Sequence, residues 1–515
     1  MRKTVIILFI VLLNTICNAQ QLNSYQQDFL QLAEIIQNTH PANDSVKNAL
    51  KDLQGGIVEE LANCDGVFDF RLVAQQYMAL LHDGHSQLDL ENYQYGTAYY
   101  PVYFQGQNSR VFIGGCHKSL PINLIGKEVK SLNGVAVDTL MLRARPYFSC
   151  DNEIDFMTNM YYLCYRSFLK QIGVDASERL EVAFADQNSE SLVFTRDTVE
   201  LRQYGAVGTS AKVELPQPEY HKVTHHEMTG WTGKLFQYTI LDEQSACYLN
   251  IGEFMDKQYV NAHGDKMDIG PPWLVKFFWT FRGGNFDKFL SGMFKKINRK
   301  DVDNLIIDLR ENRGGTDALG YQLLDYITDI ESMPKHTEYV MLSDLLKSNH
   351  PKYFAAILDG NELDEGDIAL PKFIKNEQDF IGQYLRKKGS HFYHPKPEQK
   401  FQGNVYVLIG DNTFSSATNL ATLFADNNLA TMVGSRMRMN PTQFGEVLTF
   451  ELENTGTKGR ISCKKFVRPA GECGENRIQL DIEMQNTIED EFFGKDPTFE
   501  YLLEIISNNK ASVSN

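Results

Sequence analysis

The chain has 515 residues, 43% hydrophobic and 23% charged, an ordinary balance for a globular protein long enough to form two or three domains. Its 66 acidic residues outnumber 50 basic ones, giving a formal net charge of −16. That excess argues against a nucleic-acid or anionic-membrane partner, because phosphate binding needs clustered Lys and Arg; a peptide substrate fits better.

The first 19 residues have the pattern of a removable export signal. Arg2 and Lys3 form a basic start, the run from Val5 to Leu13 is apolar, and Cys17-Asn18-Ala19 ends on a small residue. The run is too short to span a bilayer. Cys17 offers a lipoprotein alternative, but Asn14-Thr15-Ile16 is a poor lead-in to lipidation. The expected location is therefore periplasmic or extracellular. No later segment is long and apolar enough to be a membrane helix. Of eight cysteines, the seven beyond the signal are scattered, without C-x-x-C spacing. Buried small side chains are the expectation for them, with Cys463 and Cys473 the one pair that could bridge in an oxidising compartment.

Residues 20–95 read as a helical cap. Phe29, Leu32, Ile35 and Ile36 recur at helical spacing, as do Leu72, Val73, Tyr77 and Leu80, and the segment ends at Leu81-His82-Asp83-Gly84-His85. Residues 96–232 turn to short strands, clearest at 102–104, 111–113 and 129–135. Asn133-Gly134 gives a hairpin signal, and a helical stretch follows over 151–172. Residues 233–515 carry two strand–loop–helix units. Leu305 to Leu309 leads through Arg310-Glu311-Asn312-Arg313-Gly314-Gly315 into a helix over 318–327. Val405 to Ile409 leads through 410–415 into a helix over 416–426, and a strand follows at 429–433. Ligands sit at the carboxyl ends of such strands.

Ser415 stands at the second junction. A hydroxyl there faces outward, helix amides lie behind it, and the Ser416 amide can donate to a forming oxyanion. A serine at this place also serves as a simple helix N-cap. Gly314-Gly315 can bring backbone amides close to a ligand, as an oxyanion hole requires.

The stretch Ile306-Ile307-Asp308-Leu309-Arg310-Glu311-Asn312-Arg313-Gly314-Gly315 resembles the I-D-L-R-x-N-x-G-G signature of the C-terminal processing (tail-specific) serine peptidases. Thr413-Phe414-Ser415-Ser416-Ala417 is similar to their nucleophile motif, and Gly494-Lys495-Asp496-Pro497 to their closing G-x-D-P. More loosely, Ile125 to Val129 with Leu132-Asn133-Gly134 resembles the PDZ-type module of these enzymes. The resemblance implies a crotonase-like β-β-α spiral for the C-terminal domain, so the expected fold class is α/β. A helical cap and a small β-rich PDZ-like module would precede that domain.

Where many relatives carry a base lysine after F-G, this chain has Gln443-Phe444-Gly445-Glu446. The first lysine after Ser415 is Lys458, in a turn-like stretch. The D-G-H stretch instead resembles the tricorn-like branch, which implies His85 as the base, although Gly84 stands where that branch has a serine. Glu446, Glu472 and Glu475 are the candidate supporting carboxylates. His82 and His85 also have the helical spacing of metal ligands, but no third ligand is indicated, and neither metal nor organic cofactor is expected. The reading is an exported serine endopeptidase acting on peptides or unfolded protein tails. Ser415 would be the nucleophile, with Gly314, Gly315 and Ser416 around the oxyanion. The alternative is an inactive peptide-binding relative on the same scaffold.

Overall fold

The computed structural model describes residues 22–89, 100–116, 120–176, 179–186, 189–193, 235–256, 284–376, 394–472 and 475–513. The export-signal reading, Cys473 and the histidines at 225 and 226 lie outside them. Among the described residues no helix is long and apolar enough to cross a membrane.

Three helices open the chain: α1 (Ser24–Thr39), α2 (Asp44–Leu61) and α3 (Val67–Ala79). Asn23 caps α1 reciprocally with Gln26, and Phe29, Leu32, Ala33 and Ile36 form its buried stripe. A two-residue strand, β1 (Gln87–Leu88), follows α3.

Next comes an antiparallel sheet of β2 (Val102–Gln107), β3 (Arg110–Cys116), β4 (Glu128–Leu132), β5 (Val135–Ala136), β6 (Arg179–Phe184) and β7 (Ser189–Val193). Asn133 and Gly134 both take left-handed φ between β4 and β5, as the hairpin signal requires. The expected helix over 151–172 is broken into Glu153–Met157, a 3-10 stretch and Arg166–Gln171. Residues Tyr161, Tyr162, Tyr165 and Phe168 crowd this segment, and the ring of Tyr162 packs on those of Tyr165 and Phe168.

The third part is built on a six-stranded sheet. It contains β8 (Phe236–Leu241), β9 (Ala246–Ile251), β10 (Asn304–Asp308), β13 (Asn404–Ile409), β14 (Thr431–Gly434) and β17 (Ile482–Glu483), in the order β17-β14-β13-β10-β9-β8. All pairs are parallel except β8 with β9. The sheet is covered on both faces, which is why β10 and β13 are apolar without alternation. Leu305, Ile307, Val405 and Val407 pack with α4 (Phe286–Arg299), α5 (Asp317–Asp325) and α6 (Ser416–Asp426); Ile306, Tyr406 and Leu408 pack under α7 (Pro497–Val513).

A second, five-stranded sheet joins β1 to β11 (Thr337–Leu342), β12 (Lys372–Lys375), β15 (Gln443–Glu451) and β16 (Lys458–Val467). It matters for function because β1 pairs antiparallel with β16 and so ties the helical region to the C-terminal part. Asp28 of α1 accepts from the Asn454 and Thr455 amides at the β15–β16 turn, and Arg71 of α3 donates to Thr457. Side chains of the three helices, the antiparallel sheet and this hairpin merge into one buried cluster.

Candidate active site

Beyond β10 the chain is pinned by charge. Arg310 pairs with Asp308 at 2.6 Å and with Asp496 at 2.7 Å, and the Tyr248 hydroxyl donates to Asp308. Asp308 and Arg310 thus pin this loop structurally together with the G-x-D-P segment, whose Asp496 is the second partner of Arg310.

β13 ends in a turn fastened to the β10 loop. Thr413 Oγ1 donates to the Leu309 carbonyl, and the Phe414 amide donates to that of Asn312. Ser415 then takes φ 53° and ψ −126°, a conformation that costs a non-glycine residue about 1–3 kcal/mol. Its side chain makes no helix-capping bond. Instead Oγ lies 3.1 Å from Nε2 of His85. The bland reading of this serine, as a cap, has no bond to support it.

The glycines divide their work. Gly314 has φ 104°, and a Cβ there would stand 2.6 Å from Ser415 Cβ, so only glycine lets the two turns meet. Its amide, however, donates to Asn312 Oδ1 at 2.8 Å. This corrects the expectation for Gly314: it supplies space, and its donor is already used. Gly315 bridges Phe254 through its neighbours, with Phe254 donating to the Gly314 carbonyl and Thr316 to the Phe254 carbonyl. The amides of Gly315 and Ser416 donate to no group within the described hydrogen bonds. Ser416 is the first residue of α6, where amides lack helical partners.

His85 arrives from a turn after α3. His82 takes φ 51°, and Ser149 Oγ both accepts from the Asp83 amide and donates to the Asp83 carbonyl. The Gly84 amide donates to Asp151. Ser86 Oγ donates to Asp83 Oδ2 and accepts from the Ser462 amide of β16. The His85 ring packs 4.7 Å from Phe414, which also carries the Arg438 guanidinium. Burial, aided by the positive charges of Arg460 and Arg438, pushes the His85 pKa down to about 4 against the opposing pull of Asp83. The ring is therefore neutral at neutral pH and can accept a proton.

The carboxylate beside His85 is Asp83. Its Oδ1 accepts from the His85 amide at 2.9 Å and stands 3.9 Å from His85 Nδ1. Nδ1 faces Asp83 and the Phe444 carbonyl without a hydrogen bond of normal geometry to either. The three expected carboxylates are engaged elsewhere. Glu446 pairs with Lys464 at 3.6 Å, Glu472 with Lys465, and Glu475 with Arg477. Phe444 and Glu446 lie in β15, and not in a free loop; Phe444 is paired with Lys465 of β16, whereas Glu446 takes φ 54° and falls between the paired Gly445 and Val447. Lys458 sits at the start of β16 beside Glu451. The sequence does carry a signal for Asp83, since an Asp two residues before a turn histidine is a local acceptor for that turn.

Gly84 also gains a reason. A Cβ there would meet Asp155 Oδ2 at 2.4 Å and Asp151 Oδ2 at 2.9 Å, so these acids fill the space a serine would need. His82 is exposed, and among the described residues no group of three His, Cys, Asp or Glu could hold a metal. Cys463 is a buried free thiol that donates to the Glu446 carbonyl. A cavity of about 680 Å³, lined by Asn108, Asn152, Asp411, Met439 and Gln485 among others, lies next to this site. The Met439 sulfur accepts from the Ser415 amide at 3.3 Å.

Residues 274–484 match the sequence model of peptidase family S41. This segment, less than half of the chain, is similar to an S41 peptidase domain. The match supports a serine-type peptidase, with Ser415 inside the matched segment and His85 outside it. No curated protein matches the chain. Among solved structures, mature CPAF superposes with a TM-score of 0.61 at 16% identity, covering 94% of this chain and 98% of that one. Mature CPAF complexed with lactacystin gives 0.60 at 15% identity, covering 95% and 98%. The photosystem II D1 C-terminal processing protease gives 0.40 at 11%, covering 93% and 99%. At these identities the CPAF likeness speaks to the fold, which extends well beyond the S41 segment.

Proposed function

We propose that this S41 protein is an exported endopeptidase that hydrolyses peptides or unfolded protein tails through an acyl-enzyme on Ser415. The observation that carries the reading is the 3.1 Å contact between Ser415 Oγ and His85 Nε2, made by a serine that caps nothing. In this reading Oγ attacks the scissile carbonyl carbon as Nε2 takes its proton. The oxyanion that forms accepts from the Gly315 and Ser416 amides. The tetrahedral species collapses as His85 returns the proton to the leaving amine, and water repeats the sequence to free the acid and Ser415. Asp83, fully buried, faces the imidazolium that forms at each transfer.

The antiparallel sheet of residues 102–193 is read as the PDZ-like module that holds peptide ends, and the six-stranded sheet with its helices as the crotonase-like spiral. Export rests on the pattern of the first 19 residues. The test is turnover of an unfolded protein and a peptide library, with fluorophosphonate labelling, for the mature chain beside Ser415→Ala. Cleavage and labelling lost together in the variant support the reading. A wild-type protein that binds peptide but neither cleaves nor labels would make it an inactive binding relative.

A further inference from the structure

A second buried histidine stands behind the Asp83 turn. His40 follows α1, and both it and Asp83 are completely buried. The chain leaves the helix at His40, with φ −75° and ψ 134°, as the residue before Pro41 must. Both ring nitrogens are fixed. The Ala42 amide donates to Nδ1 at 3.1 Å, so Nδ1 is the unprotonated nitrogen of a neutral ring. The proton is then on Nε2, which lies 3.1 Å from Asp83 Oδ2. The Phe444 ring packs against His40 at 4.6 Å and holds its plane.

Four groups therefore follow one another: Ser415 Oγ, His85, the Asp83 carboxylate and His40. The two oxygens of Asp83 have separate duties. Oδ2 accepts from His40 and Ser86, while Oδ1 accepts from the His85 amide and faces His85 Nδ1. We propose that His40 is a positioning residue of the peptidase reaction, whose Nε2–H fixes the Asp83 carboxylate so that Oδ1 stays turned to His85. The inference rests on the Ser415–His85 reading above.

The physical need for such a donor is plain. A carboxylate out of water either finds donors or takes up a proton. Burial pushes Asp83 up, yet the hydrogen bonds from His40 and the Ser86 hydroxyl hold it well below the usual carboxylate range. Two more acids crowd the same turn. Asp151 accepts from Gly84, and Asp155 is paired with Arg438, so neither of those donors serves Asp83. Without His40, the Ser86 hydroxyl is the one side-chain donor left to Asp83 among the described hydrogen bonds. A carboxylate that turns or protonates there no longer meets the imidazolium formed when His85 takes the Ser415 proton.

The experiment compares wild type, His40→Ala, His40→Gln and Asp83→Asn in the full mature chain. It reads kcat and KM on a peptide substrate, the fluorophosphonate labelling rate and the melting temperature. The expected result is a kcat lower by about 10²-fold in His40→Ala, a KM within about twofold, and labelling slowed in step. His40→Gln, whose amide can donate to Oδ2, recovers most of the rate. Adding His40→Ala to Asp83→Asn slows the enzyme no further, since both act through one carboxylate. A His40→Ala or His40→Gln protein that melts lower but labels as fast as wild type overturns the proposal alone, leaving His40 a packing residue. Equal slowing in Ala and Gln at unchanged melting temperature also overturns it, because the donor would then be irrelevant. A wild type that neither labels nor cleaves overturns the Ser–His reading and this proposal together.

Discussion

The nucleophile turn and the base turn both pass through a left-handed residue, Ser415 at φ 53° and His82 at φ 51°, yet they are held in different ways. The Ser415 turn is fixed by the backbone of one α/β unit. Thr413, Asn312 and the two glycines all lie within the β10 and β13 loops, and each hydrogen bond among them has at least one main-chain partner. The His85 turn is fixed by side chains from other parts of the chain: Ser149, Asp151, His40 and, through Ser86, the β16 backbone. One half of the site is local and rigid; the other is assembled from distant segments. The lesson is that strain is tolerated where backbone geometry enforces it, whereas a proton acceptor is tuned where side chains can set its surroundings.

The most severe way to break this comparison is to remove the imported half alone. His85→Ala is expected to lower kcat/KM by about 10⁴-fold while the melting temperature and circular dichroism stay close to wild type. Next is the local half. Gly314→Ala puts a methyl group 2.6 Å from Ser415 Cβ, with Phe414 and Ser416 backbone also close, and has no side chain to push aside. Its expected effect is a rate loss on the order of 10² to 10³ with about 2 kcal/mol of destabilisation, read from kcat/KM and denaturant midpoints.

Gly84→Ser tests the base side by the same steric means. Its new atoms meet carboxylate oxygens of Asp155 and Asp151, which can move at the expense of their bonds to Arg438 and Gly84. A milder outcome follows, a rate loss of about tenfold and about 1–2 kcal/mol of stability. The smallest perturbation is pH. Activity needs neutral His85, whose pKa burial lowers to about 4, so kcat/KM should stay level as pH falls through the ordinary histidine range and decline only near 4. A decline centred near the free histidine value of about 6.5 would mean that the turn opens to water before it acts.

Legibility from sequence follows the same division. The helix Ser416–Asp426, the strands β10 and β13, the Asn133-Gly134 turn and the pairing of Ser415 with Gly314-Gly315 are written in short-range patterns, and they were readable. His85 was readable only through a three-residue resemblance. The carboxylates expected to support it, Glu446, Glu472 and Glu475, pair instead with Lys464, Lys465 and Arg477, because motif positions alone do not show which cation a carboxylate meets across strands. The residue that faces His85 lay two positions before it. His40 gave no signal beyond a histidine before a proline, since its meaning depends on a turn more than forty residues later. Gly314 was readable as a close approach, but not as an amide already occupied by Asn312.

The seam between β1 and β16 is only two residue pairs long, Gln87 with Arg460 and Leu88 with Gly459. It sets the order of events during synthesis. Ser415 and its glycine partners can take their places once residues up to α6 have emerged, and the turn bearing His85 can already meet His40, Ser149 and Asp151. Its anchor to a strand, through β1 and Ser86, waits for β16. A half-made chain is thus disarmed by arithmetic: it contains the attacking hydroxyl and the imidazole, yet lacks the strand that introduces one to the other. On the proposed reading, in which the substrate is unfolded polypeptide and the nearest such chain is the protein itself, that delay is a form of self-restraint requiring no inhibitor.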